Sequence, residues 1–400
     1  MLTQTAVASL LAALAGFSQA QPPAPAAPSA PAAPAAEPVA TISTTTAPPP
    51  TKLKLKVETL LSNLEVPWDI AFCPDGRMIF TERAGRVRMF TDGKLVEQPM
   101  LTLTDSWKQP AENGLMGLCI HPQFATNHYV YLAYGRVPAD KSETRDVRVV
   151  RYTEKDNQLV EPKVLITGFP AGSNHAGCRV RFGPDGKLYI TTGESFQMKL
   201  AQDMMSLGGK ILRINDDGTV PTDNPFVGKE GVRPEIYTFG CRNPQGIDWQ
   251  AGTNIMFECE HGPSGEAGQG GDEFNVIDKP GLNMGWPLIH HGSTQDGMQS
   301  PLIEWTPSVA PSGGVFYNSD AIPGLKGSYL VSTLRGAAIY RIILDGRKVT
   351  GQETLFSGNG RLRCLVVGPD GAIYVATSNK DGRGRAGKQD DRILKITAEK

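Results

Sequence analysis

Hydrophobic and polar positions alternate with a period of two along most of the chain, in short runs separated by turn residues. The clearest case is Ser173–Ser195. Cys178, Val180 and Phe182 share one face, a Gly183-Pro184-Asp185-Gly186 turn follows, and Leu188–Thr192 alternate again before Glu194. Such runs around Pro-Asp-Gly predict a β-hairpin, because Pro presets the first turn dihedral and Gly accepts positive φ. His175 at the start of the first strand and Glu194 at the end of the second fall on the same edge of that hairpin. Their side chains are placed to meet.

The unit recurs. Trp68–Phe80 and Cys364–Val375 repeat it with the same Pro-Asp-Gly turn, and Leu115–Leu132, Gly246–Phe257 and Gly314–Ser332 are looser copies. Recurrence roughly every 45 to 70 residues predicts an all-β six-bladed β-propeller of four-stranded antiparallel blades, whose radial packing hides sheet edges. Leu53–Leu60 and Arg392–Ile396 are strand-like and are expected to complete one blade together, closing the ring. A two-domain β protein is the competing architecture.

The first fifty residues follow a different pattern. The apolar run Ala6–Phe17, ending Phe17-Ser18-Gln19-Ala20, predicts a secretory signal over residues 1–20 that is too short to span a bilayer. Residues 21–50 are a Pro/Ala-rich tract expected to be a disordered linker, which leaves 51–400 for the propeller. The 44 glycines and 31 prolines suit a fold made of turns. Glu37 is the sole charge before residue 51, so the domain carries 40 basic against 40 acidic groups. That balance predicts neither nucleic-acid nor membrane attraction. The six cysteines, which permit up to three disulfides, are scattered without a Cys-x-x-Cys, a pattern that fits either buried thiols or one or two bridges.

In a closed propeller the segments before the inner strands converge on one channel mouth. Those segments carry Glu112, His175, Arg242 with Asn243, and Arg361 with Arg363, while blade five offers Arg335. Alone, each arginine is more often a surface ion pair. Recurrence at one structural position changes the picture, because guanidinium groups bind a small polyanion bidentately. His175 alone would be a structural histidine, but Glu194 is placed to fix its tautomer and so make it a general base. The stretch from Glu260 through Gly262, Pro263 and several glycines to Glu273 combines bare carbonyls with carboxylates. These are the hard oxygen donors calcium takes, although their spacing is not that of an EF-hand.

Assembled, these residues resemble the soluble pyrroloquinoline quinone (PQQ)-dependent aldose sugar dehydrogenases, the glucose/sorbosone dehydrogenase family, over roughly residues 55 to 398. The resemblance rests on Asn113–Phe124, Asn174-His-Ala-Gly-Cys-Arg179, Leu207–Gly218, Asp223–Phe226, Ile236–Gly246, the Gly262–Glu273 loop, Asn283–Pro287 and Arg361-Leu-Arg363. It implies PQQ- and calcium-dependent oxidation of an aldose sugar at C1 to a lactone, with electrons passed to a diffusible acceptor. By resemblance, His175 is the base, Glu194 orients it, and Arg242 polarises the quinone carbonyl beside Asn243. Arg361 and Arg363 match the pair holding the cofactor carboxylates, with Glu112 and Arg335 completing the cofactor set. Gly262 and Pro263 match carbonyls on the cofactor's calcium, and Glu273 is a candidate ligand of a second one.

The chain also departs from the family pattern. Cys241 stands where the family has His, Cys178 replaces a Gly, Cys364 follows the Arg pair, Arg335 replaces Lys, and Glu194 replaces Asp. The three cysteines are expected near the mouth, with a Cys178–Cys241 disulfide as one outcome. Such changes favour an alternative in which the propeller binds a sugar or a protein without catalysis. The retained His175, Arg242, Asn243, Arg361 and Arg363 argue against it. A calcium-dependent propeller hydrolase would need Asp, Glu and Asn ligands where arginines stand.

Overall fold

The Pro-Asp-Gly turns form as their chemistry dictates. In a computed structural model that describes residues 41–107, 112–140 and 142–399, the Gly186 amide donates to Gly183 O at 2.9 Å. Asp185 Oδ1 accepts from the Lys187 amide at 3.1 Å, and Gly186 adopts φ 71°. Gly368–Gly371 repeats these bonds, with Gly371 donating to Gly368 O at 2.9 Å and Ala372 to Asp370 at 3.1 Å. Each turn fixes the register of the strands it joins, and a one-residue slip would put the apolar face into water.

The hairpins assemble into six antiparallel sheets. Their inner strands are Pro67–Phe72, Leu115–Ile120, Gly177–Phe182, Pro244–Trp249, Pro311–Phe316 and Leu362–Val367, which begin blades one to six. Each inner strand packs against the next, and the sixth packs against the first. Leu55–Leu61 pairs antiparallel with Ile393–Ala398 at the outside of blade six, so the ring closes with strands from both ends of the chain, as the alternation predicts. The fold is the six-bladed β-propeller expected from sequence.

The apolar residues gather into six clusters, one at each blade-to-blade interface. Ile79 and Val87 of blade one meet Leu118 and Leu132 of blade two, for example, and Ile70 and Phe80 meet Cys364 and Ala376 of blade six. Burying each such side chain contributes about 1.5–3 kcal/mol, so the stacking of blades supplies most of the core. One buried cation ties four blades together across the ring. Arg179 is 1% exposed and lies over the Trp68 ring at 4.3 Å; it pairs with Asp69 at 2.7 Å and donates to the carbonyls of Gln245 and Ser312.

Two expectations need correction. The linker expected over 21–50 is docked at its end: Ile42–Thr44 adds a parallel strand beside Ile303–Trp305, and Thr354 donates to Pro49 O at 2.7 Å. β-branched Ile42 and Thr44 suit a strand, and the outer edge of blade four offers them unpaired backbone groups. The signal expected over 1–20 and the linker up to residue 40 lie outside the described residues. The cysteines are the second correction. All six are buried and free, with no Cys178–Cys241 bridge. Each of the three expected at the mouth neighbours a site residue or its strand, and each packs into an interblade core instead.

Candidate active site

The start of blade three sets His175. Gly177 adopts φ 64°, and a Cβ there would strike the Thr192 and Gly193 backbone at 2.7–2.8 Å, so only glycine lets the two strands approach at this point. His175, itself at φ 54°, is thereby brought over the end of the neighbouring strand. Its Nδ1 lies 2.6 Å from Glu194 Oε1, and both side chains are buried. Its Nε2 lies 3.2 Å from an Arg242 Nη2. Arginine carries donors only, so Nε2 accepts, and the ring proton sits on Nδ1, donated to Glu194.

Blade four supplies Arg242. Its backbone amide donates to Glu260 Oε2 at 2.5 Å and that of Asn243 donates to the same oxygen at 3.0 Å, which fixes the entry to the strand. The guanidinium donates to Glu266 through Nε at 2.9 Å, to Ser264 Oγ at 3.1 Å and to His261 O at 3.1 Å, with the Trp286 ring 5.4 Å away. Asn243 Oδ1 accepts from the Gly177 amide at 3.0 Å, tying the two blades together beneath His175.

Glu112 is the hub under the pocket. It accepts from the His175 amide at 2.6 Å, from Asn243 Nδ2 at 3.1 Å and from Gln245 Nε2 at 3.0 Å. Burial works to raise its carboxyl, but His261, Arg363 and His175 facing it and the Asn243 amide hold it at about 2. Gln245 Oε1 in turn accepts from Arg363 Nη1 at 3.3 Å. Burial pushes the Arg363 guanidinium down to about 10 and the His261 imidazole down to about 4, so at neutral pH the first is a cation and the second is neutral.

These groups line one cleft, open to solvent, that encloses about 570 Å³ of atom-free space. Glu112, His175, Arg361 and Arg363 are in its wall. Arg242 and Asn243 sit directly behind it, through His175 and Glu112. Arg335 does not join them: its side chain is exposed, and the preceding Leu334 takes the place in the wall. Glu273 also lies off the cleft, half-buried in the sheet opposite Glu260 and Glu304. Its carboxyl is pushed well above its ordinary value by burial and by Glu260. Gly262 and Pro263 are buried beside His261, with the Gly262 amide donating to Asp272 at 2.8 Å.

The wall holds more than the motifs pointed to. Arg361 pairs with Asp381 at 2.8 Å, and Arg383 from the same loop joins the cleft. Phe196, two residues past Glu194, packs its ring against that of His175 in a tilted arrangement. Glu266 neutralises Arg242 from the Gly-rich stretch that had signalled only oxygen donors. The dense Gly and charge of 379–385 was the available signal for Asp381 and Arg383.

A propeller whose mouth sets an oriented imidazole against a wall of guanidinium groups defines an enzyme built around an anionic cofactor. Residues 64–388 match the family model described as Glucose / Sorbosone dehydrogenase. The chain is 33% identical over 345 residues to the aldose sugar dehydrogenase YliI of Escherichia coli, covering 82% of this chain and 91% of that protein. It is 28% identical over 431 residues to quinoprotein glucose dehydrogenase B of Acinetobacter calcoaceticus, covering 84% and 87%. The PQQ-bound aldose sugar dehydrogenase of Streptomyces coelicolor superposes with a TM-score of 0.75 at 33% identity, covering 88% of this chain and all of that one. The chain belongs to the glucose/sorbosone dehydrogenase family, and it is a quinoprotein oxidoreductase of the sugar-oxidising kind.

Proposed function

We propose that the enzyme oxidises aldose sugars at C1 to the lactone, with PQQ and calcium as cofactors and a diffusible acceptor taking the electrons. The observation that carries this reading is the protonation pattern of His175. Its Nδ1 donates to Glu194, so the single Nε2 lone pair is the basic site; it accepts from Arg242 here, and a sugar hydroxyl would reach it by displacing that donor.

The residues fit the cofactor. Arg363 is 3% exposed, and its buried Nε has no hydrogen-bond partner, an arrangement that an anionic oxygen in the cleft would satisfy. Arg361 and Arg363 would hold carboxylates of PQQ there, and bound PQQ supplies the two-electron acceptor for the hydride from C1. His175 Nε2 takes the hydroxyl proton, and Glu194 keeps the ring from turning and stabilises the imidazolium that results. Arg242, held by Glu266 and Ser264, keeps a fixed positive charge beside that proton transfer. Asn243 and Gln245 brace Glu112 beneath it.

Calcium is supported more narrowly. Among the described residues no group of three or more His, Cys, Asp or Glu side chains is arranged to hold a metal ion. A calcium at the cleft would therefore depend on the Gly262 and Pro263 carbonyls and on oxygens of the cofactor itself. A second ion at Glu273 would relieve the repulsion among Glu260, Glu273 and Glu304. The apolar leader Ala6–Phe17 supports export, and among the described residues no helix is long and apolar enough to cross a membrane.

An aldose deuterated at C1 should be oxidised more slowly than the unlabelled sugar, with the lactone as product. Oxidation at any other carbon would contradict the assignment.

A further inference from the structure

We propose that Phe196 is the sugar platform of this site: its ring receives the apolar C–H face of an aldopyranose and brings the C1 hydroxyl to His175. The proposal rests on the aldose-oxidising reading and adds the residue that selects the substrate.

Phe196 is 53% exposed, yet it is part of the cleft wall, where Leu334 is the other large apolar side chain and the remaining groups are charged or polar. Its ring centroid lies 3.9 Å from that of His175, with 38° between the planes. One part of the ring therefore covers an imidazole face, and the rest is open to the cleft.

The backbone is strained to put it there. Ser195 and Phe196 are consecutive non-glycine residues in the left-handed region, at φ 53° and 61°, a conformation that L side chains adopt only at a cost. Surrounding bonds enforce the conformation. Ser195 Oγ donates to Pro170 O at 3.0 Å and accepts from the Gly172 amide at 3.2 Å. The Ser195 amide donates to His175 O at 3.2 Å, and that of Gln197 to Glu194 O at 2.9 Å. Strain that the surroundings over-determine, next to a reactive group, marks a placed side chain. A phenyl ring has no polar atom to offer a hydroxyl, so its contribution is an apolar face. Pyranoses present such faces between their hydroxyl edges, and the polar wall opposite can bind those edges.

The test compares wild type, Phe196→Ala and Phe196→Tyr, each titrated with PQQ and then assayed with D-glucose, D-galactose and D-xylose. Losing the apolar contact should raise KM about tenfold in Phe196→Ala while kcat stays within about twofold. PQQ affinity should be unchanged, and Phe196→Tyr should behave as wild type. An unchanged KM would overturn the proposal, as would a fall in kcat alone, which would make the ring a strut for the imidazole. A parallel loss of PQQ affinity would overturn it too, by placing the ring against the cofactor. Wild type that binds PQQ and oxidises none of the sugars would instead sink the aldose reading, and that result appears before any variant is compared.

Discussion

Replacing Arg363 by methionine removes a buried charge while keeping most of the side-chain volume, so it isolates what the guanidinium does for an anionic ligand. In the structure Arg363 makes one hydrogen bond to a neutral partner, Gln245 at 3.3 Å, and lies 5.6 Å from the Trp68 ring. Its Nε is buried and unpaired. Arg361, in contrast, is already committed to Asp381 at 2.8 Å, and its side chain is 15% exposed. A desolvated, charge-assisted hydrogen bond contributes about 1.5–3 kcal/mol, and a partly solvated guanidinium with a competing carboxylate contributes nearer 1 kcal/mol. Arg363→Met should therefore weaken PQQ binding by roughly 10- to 150-fold, and Arg361→Met by roughly fivefold. Absorbance titration of the apo-protein with PQQ measures both. Equal affinity in Arg363→Met and wild type, or a larger loss in Arg361→Met, would refute the reasoning.

The base assignment makes a separate demand. His175→Ala should abolish turnover with PQQ still bound, and Glu194→Gln, which disturbs the Nδ1 tautomer, should lower kcat by about 10² or more with little change in KM; full activity in either variant would remove the pair from the mechanism. Glu112 links pH to stability. Its carboxyl is held at about 2 against an ordinary 4.5, so its contribution is complete above about pH 4.5 and is lost as pH falls towards 2. The melting temperatures of wild type and Glu112→Gln should differ by a constant amount above pH 5 and converge below it; a gap that widens in acid would contradict the assignment. Thiol titration in denaturant should find six free thiols before any reductant is added, since all six cysteines are buried and unpaired. Fewer would mean a bridge.

What was legible in the chain follows from local chemistry. The Pro-Asp-Gly turns state their own register, so the hairpin carrying His175 and Glu194 was readable, and so was the ring that repeats it. The strand Leu55–Leu61 closed the ring because its alternation matches that of Ile393–Ala398. Side-chain direction was less readable where a site residue and its neighbour are both plausible. Arg335 and Leu334 are neighbours in the bend after Tyr329–Thr333, where no strand alternation decides which side chain enters the cleft. Alternation within Leu362–Val367 carries Cys364 away from the mouth although it adjoins Arg363, while Cys241, between strands, packs into the apolar interface of blades three and four. Loop residues were hardest. Phe196 depends on two left-handed residues that no period announces, and Glu266 reaches Arg242 through a hairpin whose glycines leave its path open. Arg179 ends the Asn174–Arg179 stretch, and nothing in the spacing there signalled that its guanidinium would reach Asp69, Gln245 and Ser312 of three other blades.

The central claim is tested most directly by dye reduction with purified apo-protein, PQQ, calcium and an aldose, each omitted in turn. The account predicts reduction when all four are present and loss of the signal when PQQ or the sugar is left out, with calcium needed for full activity. Dye reduction that proceeds without added PQQ, or none when PQQ is demonstrably bound and aldoses are supplied, would contradict it.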